Sequence, residues 1–246
     1  MNDEVKFGLK KVKKEDKLGL VSGVFTSVAD KYNIMNDLMS FGMHRLWKEK
    51  MIKICNLGSN NNILDLATGS GDIAARILKK DIGVKITCLD ENKDMLEHCK
   101  NTLLDMGYTK EITYLHTSAE SAELLPNEYD AATIAFGFRN FSDHEKALQN
   151  IYESLKPGGK IIIMEFTTPK NKTVESIFEK YTFNVIPHIG KYIANDYDSY
   201  QYLAESIKTY YKPDDVLLML KNNSFINAKY IYLPGNMVTI HTGYKN

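Results

Sequence analysis

Asn61-Asn-Ile-Leu-Asp65-Leu-Ala-Thr-Gly69-Ser-Gly71-Asp-Ile-Ala-Ala-Arg-Ile-Leu-Lys79 decides the fold. Its first half is a short apolar run of the kind that forms a buried strand, and its last half has helical spacing. Two glycines join them, so bare backbone is presented where a helix begins, a geometry suited to a nucleotide-like ligand. About 20 residues further on, Ile86-Thr-Cys-Leu-Asp90 closes a second strand with an acid, where a ribose diol needs an acceptor. Gly69-x-Gly71-x-x-Ala74 also satisfies the dinucleotide fingerprint, so spacing alone leaves NAD open. Asp65 favours another ligand. A carboxylate beside the turn opposes a pyrophosphate, whereas S-adenosylmethionine offers a sulfonium and an ammonium and no phosphate. A glycine turn with no ligand is the plainer alternative.

Outward from this stretch, strands are expected at 62–66, 85–89, 112–115, 129–135 and 160–166, and helices near 71–80, 92–106 and 143–155. This alternation predicts an α/β fold with a mostly parallel, doubly wound sheet. Lys156-Pro-Gly-Gly159 reads as a turn that launches the last of these strands. Residues 171–220 break the alternation with helical, tyrosine-rich sequence, too long for a simple connection, and read as a cover over the sheet's carboxyl edge. Residues 228–243 read as two strands around Pro234-Gly-Asn236, a closing hairpin that favours a methyltransferase sheet over a dinucleotide one. Residues 1–20 read as a loose arm, with a helical segment beginning at Val24 and another from Leu46 to Ile54.

The chain of 246 residues balances 31 basic against 31 acidic side chains, which gives no footprint for bulk nucleic acid. Cys55, Cys88 and Cys99 have neither metal nor redox spacing and fit a reducing compartment. No apolar run is long enough to span a bilayer, so a cytoplasmic protein, at most peripheral to the membrane, is expected.

Tyr32-Asn-Ile-Met-Asn-Asp-Leu-Met-Ser40-Phe-Gly-Met-His44-Arg-Leu-Trp47 resembles the N-terminal signature of the ubiquinone and menaquinone biosynthesis C-methyltransferases, matching every fixed position except Asn33, where the family has Asp. Leu155-Lys-Pro-Gly-Gly-Lys-Ile-Ile-Ile-Met-Glu165-Phe-Thr167 resembles the second signature, with Ser154 in place of the usual Arg and Thr167 in place of Ser. Phe136-Gly-Phe-Arg139-Asn140, the segment from Ile193 to Ser206 and the terminal Gly243-Tyr-Lys extend the likeness from about residue 7 to the end. Ala135 stands where many members have Ser, so a cofactor contact assigned to that serine side chain does not carry over.

The resemblance implies a class I S-adenosylmethionine-dependent methyltransferase fold with a seven-stranded sheet, in one domain. Its parts are an N-terminal arm with helices (1–55), a cofactor core (56–170), a helical substrate cover (171–220) and C-terminal strands (221–246). It implies methylation of a polyprenyl quinol ring carbon, on a 2-methoxy-6-polyprenyl-1,4-benzoquinol, a demethylmenaquinol or both, with no metal. Gly69, Ser70 and Gly71 are expected at the methionine part of the cofactor, Asp65 near its amino group, and Asp90 on the ribose, with a helix cap as Asp90's plainer role. Ser118 and Ala119 align with a family segment that borders adenine.

Arg139 and Asn140 are the expected catalytic pair. A buried cation stabilises a developing phenolate, and the pair can order a water that takes the proton, although they could merely tie a loop. Tyr32 and His44 sit on a segment expected to close over the quinol, and Tyr197, Tyr200 and Tyr202 are expected beside the ring or at the start of an isoprenoid channel. A long prenyl tail implies membrane contact, a quinone-biosynthesis complex or a homodimer. The rivals are a methyltransferase for another phenol or a sterol, an NAD oxidoreductase, and a cofactor-binding scaffold without turnover.

Overall fold

The structure, a computed structural model, describes residues 4–28, 36–37, 40–80, 83–109 and 111–246. A seven-stranded sheet organises it. Its strands are β3 (Asn62–Leu66), β4 (Lys85–Asp90), β5 (Ile112–His116), β6 (Tyr129–Ala135), β7 (Leu155–Phe166), β8 (Ile226–Tyr232) and β9 (Val238–Tyr244). Their order across the sheet is β5-β4-β3-β6-β7-β9-β8, parallel except for β9, which pairs antiparallel with both β7 and β8. Successive side chains of a strand face opposite sides. Ile63 therefore joins one core, with Trp47, Met51 and Ile77, while Leu64 and Leu66 join the other, with Leu148 and Val216. The five parallel strands begin within a residue of expectation except β7, which starts at Leu155. The Lys156-Pro-Gly-Gly159 segment is carried within that strand, beside a register irregularity between Tyr129 and Ala131.

The connecting helices are α2 (Met43–Cys55), α3 (Asp72–Leu78), α4 (Lys93–Asp105) and α5 (His144–Ser154). Four more, α6 (Lys172–Asn184), α7 (Ile186–Ala194), α8 (Asp198–Thr209) and α9 (Pro213–Asn222), follow β7. All four fall in the stretch read as helical at 171–220, apart from the last two residues of α9.

The amino terminus differs from expectation. Residues 4–13 are a hairpin, β1 (Glu4–Phe7) with β2 (Lys10–Lys13), and α1 (Lys14–Val28) begins ten residues before Val24. Tertiary contacts hold it. Phe7 stacks on Tyr202 at 4.3 Å, and the Leu9 amide donates to Glu205 at 3.1 Å. Lys17 is buried and donates to the Phe141 carbonyl at 2.7 Å. None of these partners is local in sequence.

β3 pairs with β4 on one side and with β6 on the other. The chain therefore winds away from β3 in both directions, and the crevice at the carboxyl ends of β3 and β6 is where such sheets bind ligands.

Candidate active site

After Leu66 the backbone turns through left-handed conformations at Ala67, Gly69 and Gly71 before α3 begins. At Gly71 (φ +80°) a Cβ would lie 2.7 Å from the Cys99 sulfur, so glycine is what lets α4 pack against the turn. Gly137, in the loop after β6, approaches Ala67 so closely that a Cβ would come within 2.4 Å of it.

Asp90, buried at the end of β4, clamps this turn. One carboxylate oxygen accepts from the Gly69 amide at 2.8 Å and the other from the Asn92 amide at 2.9 Å. Burial raises its pKa, and the two amides work against that rise. The helix-capping role goes to Asn92 instead, whose side-chain oxygen accepts from Met95 at 2.8 Å. The Asn92 amide nitrogen reaches back to α1, at 2.9 Å from the Ser22 carbonyl and 3.0 Å from the Thr26 hydroxyl. The N-terminal helix is thus tied to the strand end that carries Asp90.

Three cavities meet at Phe136, a non-glycine residue at φ +60°. Backbone held in this region is costly and clusters at functional sites. The first cavity has Asp90, Glu91 and Ser118 on its polar side and Val21, Phe25 and Leu89 among its apolar walls. The second is small and charged, lined by Lys48, Asp65, Ser70 and Asp72. The third is aromatic, lined by Phe25, Phe166, Tyr200 and Tyr202, with Arg139 as its cation. A nucleoside, an amino-acid zwitterion and an apolar ring are the ligand parts these surroundings suit, in that order.

The expected residues divide among them. Gly69, Asp90, Ser118, Ala119 and Asn140 line the first cavity, and Asp65, Gly69 and Ser70 line the second. Arg139, Tyr200 and Tyr202 line the third. Gly71 lines none of the three and serves the turn. Asp65 offers charge rather than a free oxygen, since the Thr68 and Thr133 hydroxyls both donate to it at 2.6 Å. Burial pushes its pKa up to about 6. His44 also stands outside the three cavities, with Nε2 2.8 Å from Asp37 and its amide bonded to Ser40, and burial lowers its pKa against the opposing pull of Asp37. Tyr32 lies outside the described residues.

Arg139 is both buried and paired. Its guanidinium meets Glu165 at 2.9 Å, bonds the Phe136 carbonyl, and reaches Ser206 at 3.2 Å, while its own amide donates to Glu165. It therefore fixes the strained Phe136 turn and still faces the aromatic cavity. Asn140 accepts from the Tyr202 hydroxyl at 3.1 Å, which joins α8 to the same loop.

Sequence reasoning missed Lys48, Asp72, Glu91 and Glu165. Lys48 donates to Asp72 at 2.7 Å and is 5 % exposed, an ion pair between α2 and α3 with no local signature. Burial, with the charges of Glu120 and Asp90, pushes Glu91 up to about 8, and burial brings its neighbour Lys17 down to about 8. For Glu165, strand position within the second signature was the available signal.

The ubiE/COQ5 methyltransferase family matches residues 10–245. The chain belongs to that family. It is 44% identical to the ubiquinone/menaquinone biosynthesis C-methyltransferase UbiE of Rickettsia bellii (strain OSU 85-389), over 99% of each chain. It is 41% identical to the protein of the same name from Psychromonas ingrahamii, over 97% of this chain and 96% of the relative. Among solved structures, a SAM-dependent methyltransferase from Aquifex aeolicus superposes with a TM-score of 0.60 at 16% identity, covering 81% of this chain and 89% of that one. The fold is thus the class I methyltransferase fold. This ubiE/COQ5 family member is a methyltransferase whose cofactor is S-adenosylmethionine. No helix among the described residues is long and apolar enough to cross a membrane.

Proposed function

We propose that this protein methylates a ring carbon of a polyprenyl quinol in ubiquinone or menaquinone biosynthesis, with the ring ionised to a phenolate as it reacts. One observation carries the mechanism: the aromatic cavity that holds Arg139 opens on Phe136, the residue shared with the two cavities suited to the cofactor. The residues fit S-adenosylmethionine. The Gly69 turn gives backbone access, Asp90 stands where a ribose binds, and Lys48 with Asp65 and Asp72 offers both charges that an amino acid needs. Bound there, the cofactor supplies an electrophilic methyl group.

The chain's own residues do the rest. Phe25, Phe166 and Tyr200 exclude water from the ring and hold it by apolar contact. Arg139 presents fixed positive charge to the ring oxygen. A preorganised donor of this kind contributes about 10²–10³ in rate where charge develops. Arginine stays protonated, so it is not the base. Asn140, anchored by Tyr202, is placed to orient a water or the substrate oxygen.

The prenyl tail needs an apolar exit. On α6 and at its C-terminal cap the side chains of Val174, Ile177, Tyr181 and Val185 recur at helical spacing, and Ile177 is 63% exposed. Phe41, 77% exposed, stacks on Tyr181 at 5.2 Å and widens this stripe. We take it as the face that meets the bilayer holding the substrate tail.

The test is methyl transfer from labelled S-adenosylmethionine to a short-tailed demethylated benzoquinol and a demethylmenaquinol, both kept reduced. Turnover of either supports the reading, and the product formed names the acceptor. Tight cofactor binding without turnover of either overturns it in favour of a scaffold or another acceptor.

A further inference from the structure

Tyr202 stands between two cavities. It lines the aromatic cavity on one side and, on the other, a fourth cavity of about 270 Å³ that also borders Ser206 and the N-terminal hairpin at Val5 and Gly8. Open volume on two sides leaves a ring few atoms to pack against. Arg139 also lines both cavities, but Glu165, the Phe136 carbonyl and Ser206 fix its guanidinium.

Tyr202 is held at its hydroxyl and at its ring. The hydroxyl donates to the Asn140 side-chain oxygen at 3.1 Å, and burial pushes its pKa up to about 12, which keeps that proton in place. The ring stacks on Phe7, with centroids 4.3 Å apart and planes 22° apart. The hairpin is pinned to the same helix on either side of Phe7. The Lys6 ammonium donates to the Thr209 carbonyl at 3.4 Å, and the Leu9 amide donates to Glu205 at 3.1 Å. Tyr202, Glu205 and Thr209 follow i, i+3, i+7 spacing, so the hairpin lies along one face of α8.

Asn140 carries the consequence into the site, since it lines the first cavity and neighbours Arg139. With its oxygen spent on Tyr202, the amide has its nitrogen to offer, a donor for the quinol oxygen or for a water. An amide freed of that bond can turn over and offer its oxygen instead, which opposes a developing phenolate. Phe7 itself lines none of the four cavities.

We propose that Phe7 is a positioning residue of the quinol site: its ring sets Tyr202, and Tyr202 sets which end of the Asn140 amide meets the reacting oxygen. The N-terminal hairpin is thereby part of the site, although it lies outside the cofactor core. This role rests on the quinol methylation proposed above.

The test is Phe7→Ala and Phe7→Leu in the full chain, the second keeping apolar bulk without a flat face, beside Phe7→Tyr, which keeps the face. Phe7→Leu should melt close to wild type. With a short-tailed quinol, Phe7→Ala and Phe7→Leu are each expected to lose about tenfold in kcat, as misplaced groups do. S-adenosylmethionine Kd should stay at its wild-type value, and Phe7→Tyr should restore kcat. In a Tyr202→Leu background, itself impaired, Phe7→Ala is expected to cost no further kcat, because its effect has lost its carrier. Wild-type kcat in Phe7→Leu overturns the role. A loss that multiplies with that of Tyr202→Leu overturns it equally, since Phe7 then acts by another route. Melting temperature, cofactor affinity and kcat falling together make the hairpin a stability element and overturn it as well. A wild type that turns over neither quinol removes the reading on which the role rests, a failure seen before any variant is made.

Discussion

Asp65 holds its charge where water does not reach, with two threonine hydroxyls as its hydrogen-bond donors. Its pKa is raised from 3.8 to about 6. The folded state therefore favours the protonated acid, and this stabilising preference is complete below pH 3.8 and lost as pH rises through 6. At pH 7 the group costs about 3 kcal/mol at most. Asp65→Asn removes that cost and weakens one hydroxyl contact, worth about 1 kcal/mol. The expected result is a melting temperature about 2–6 °C higher at pH 7, with a flatter stability profile between pH 4 and 6. Cofactor affinity should fall by about tenfold, as a site charge is lost for stability. Thermal melts across pH and calorimetric titration check both.

Arg139 calls for a different substitution. Alanine strands Glu165, a fully buried carboxylate, and breaking such a pair costs about 3–5 kcal/mol. Arg139→Ala should therefore melt well below wild type, so its lost activity says little about chemistry. Arg139→Lys keeps the charge but cannot reach Glu165, Ser206 and the Phe136 carbonyl together. It is expected to melt close to wild type with kcat reduced about 10²-fold, and melts beside steady-state kinetics separate these outcomes. The chemistry-bearing types were legible in the sequence, but their partners come from other elements.

At the scale of elements, what could be read followed from periodicity. β3, β4 and β6 and the helices beside them fall where apolar spacing puts them, because a strand buried on both faces announces itself. The N-terminal hairpin did not. Its apolar pattern is faint, and it folds because Phe7 finds Tyr202 and Lys17 finds Phe141, nearly 200 and over 100 residues away. The same tertiary logic ties α1 to the proposed cofactor site. Asn92 caps α4 with its oxygen and holds α1 with its nitrogen. Asn92→Ala should lose about 1 kcal/mol from the cap and release α1 from the strand end. The expected signature is an S-adenosylmethionine KM raised several-fold, with kcat much less affected at saturation. Ser22→Ala removes the Ser22 hydroxyl, which also accepts from the Asn92 side-chain nitrogen at 2.9 Å, and leaves the cap intact, so it should show a smaller rise in KM and little change in melting temperature.

For the whole molecule, the two cavities suited to the cofactor face the sheet crevice, while the aromatic cavity is walled by α1 and α8. Outside that wall, α6 is the most loosely buried of the cover helices, with Thr182 as its buried residue. A helix on a water-soluble surface has little reason to show Val174, Ile177 and Val185 on one stripe, since water penalises contiguous apolar area. The proposed tail-bearing quinol would provide the reason, because the lipid carrying the tail would cover the stripe. On that proposal the membrane contribution belongs to the long substrate alone. A Val174→Asp/Ile177→Asp double variant, changed at two exposed positions, is expected to melt within about 0.5 kcal/mol per site of wild type. It should turn over a short-tailed, water-soluble quinol at the wild-type rate. With a long-tailed quinol presented in liposomes its rate should fall about tenfold, and its flotation with those vesicles should fall in step. Equal activity on both presentations would assign the stripe to another contact and leave the ring chemistry untouched.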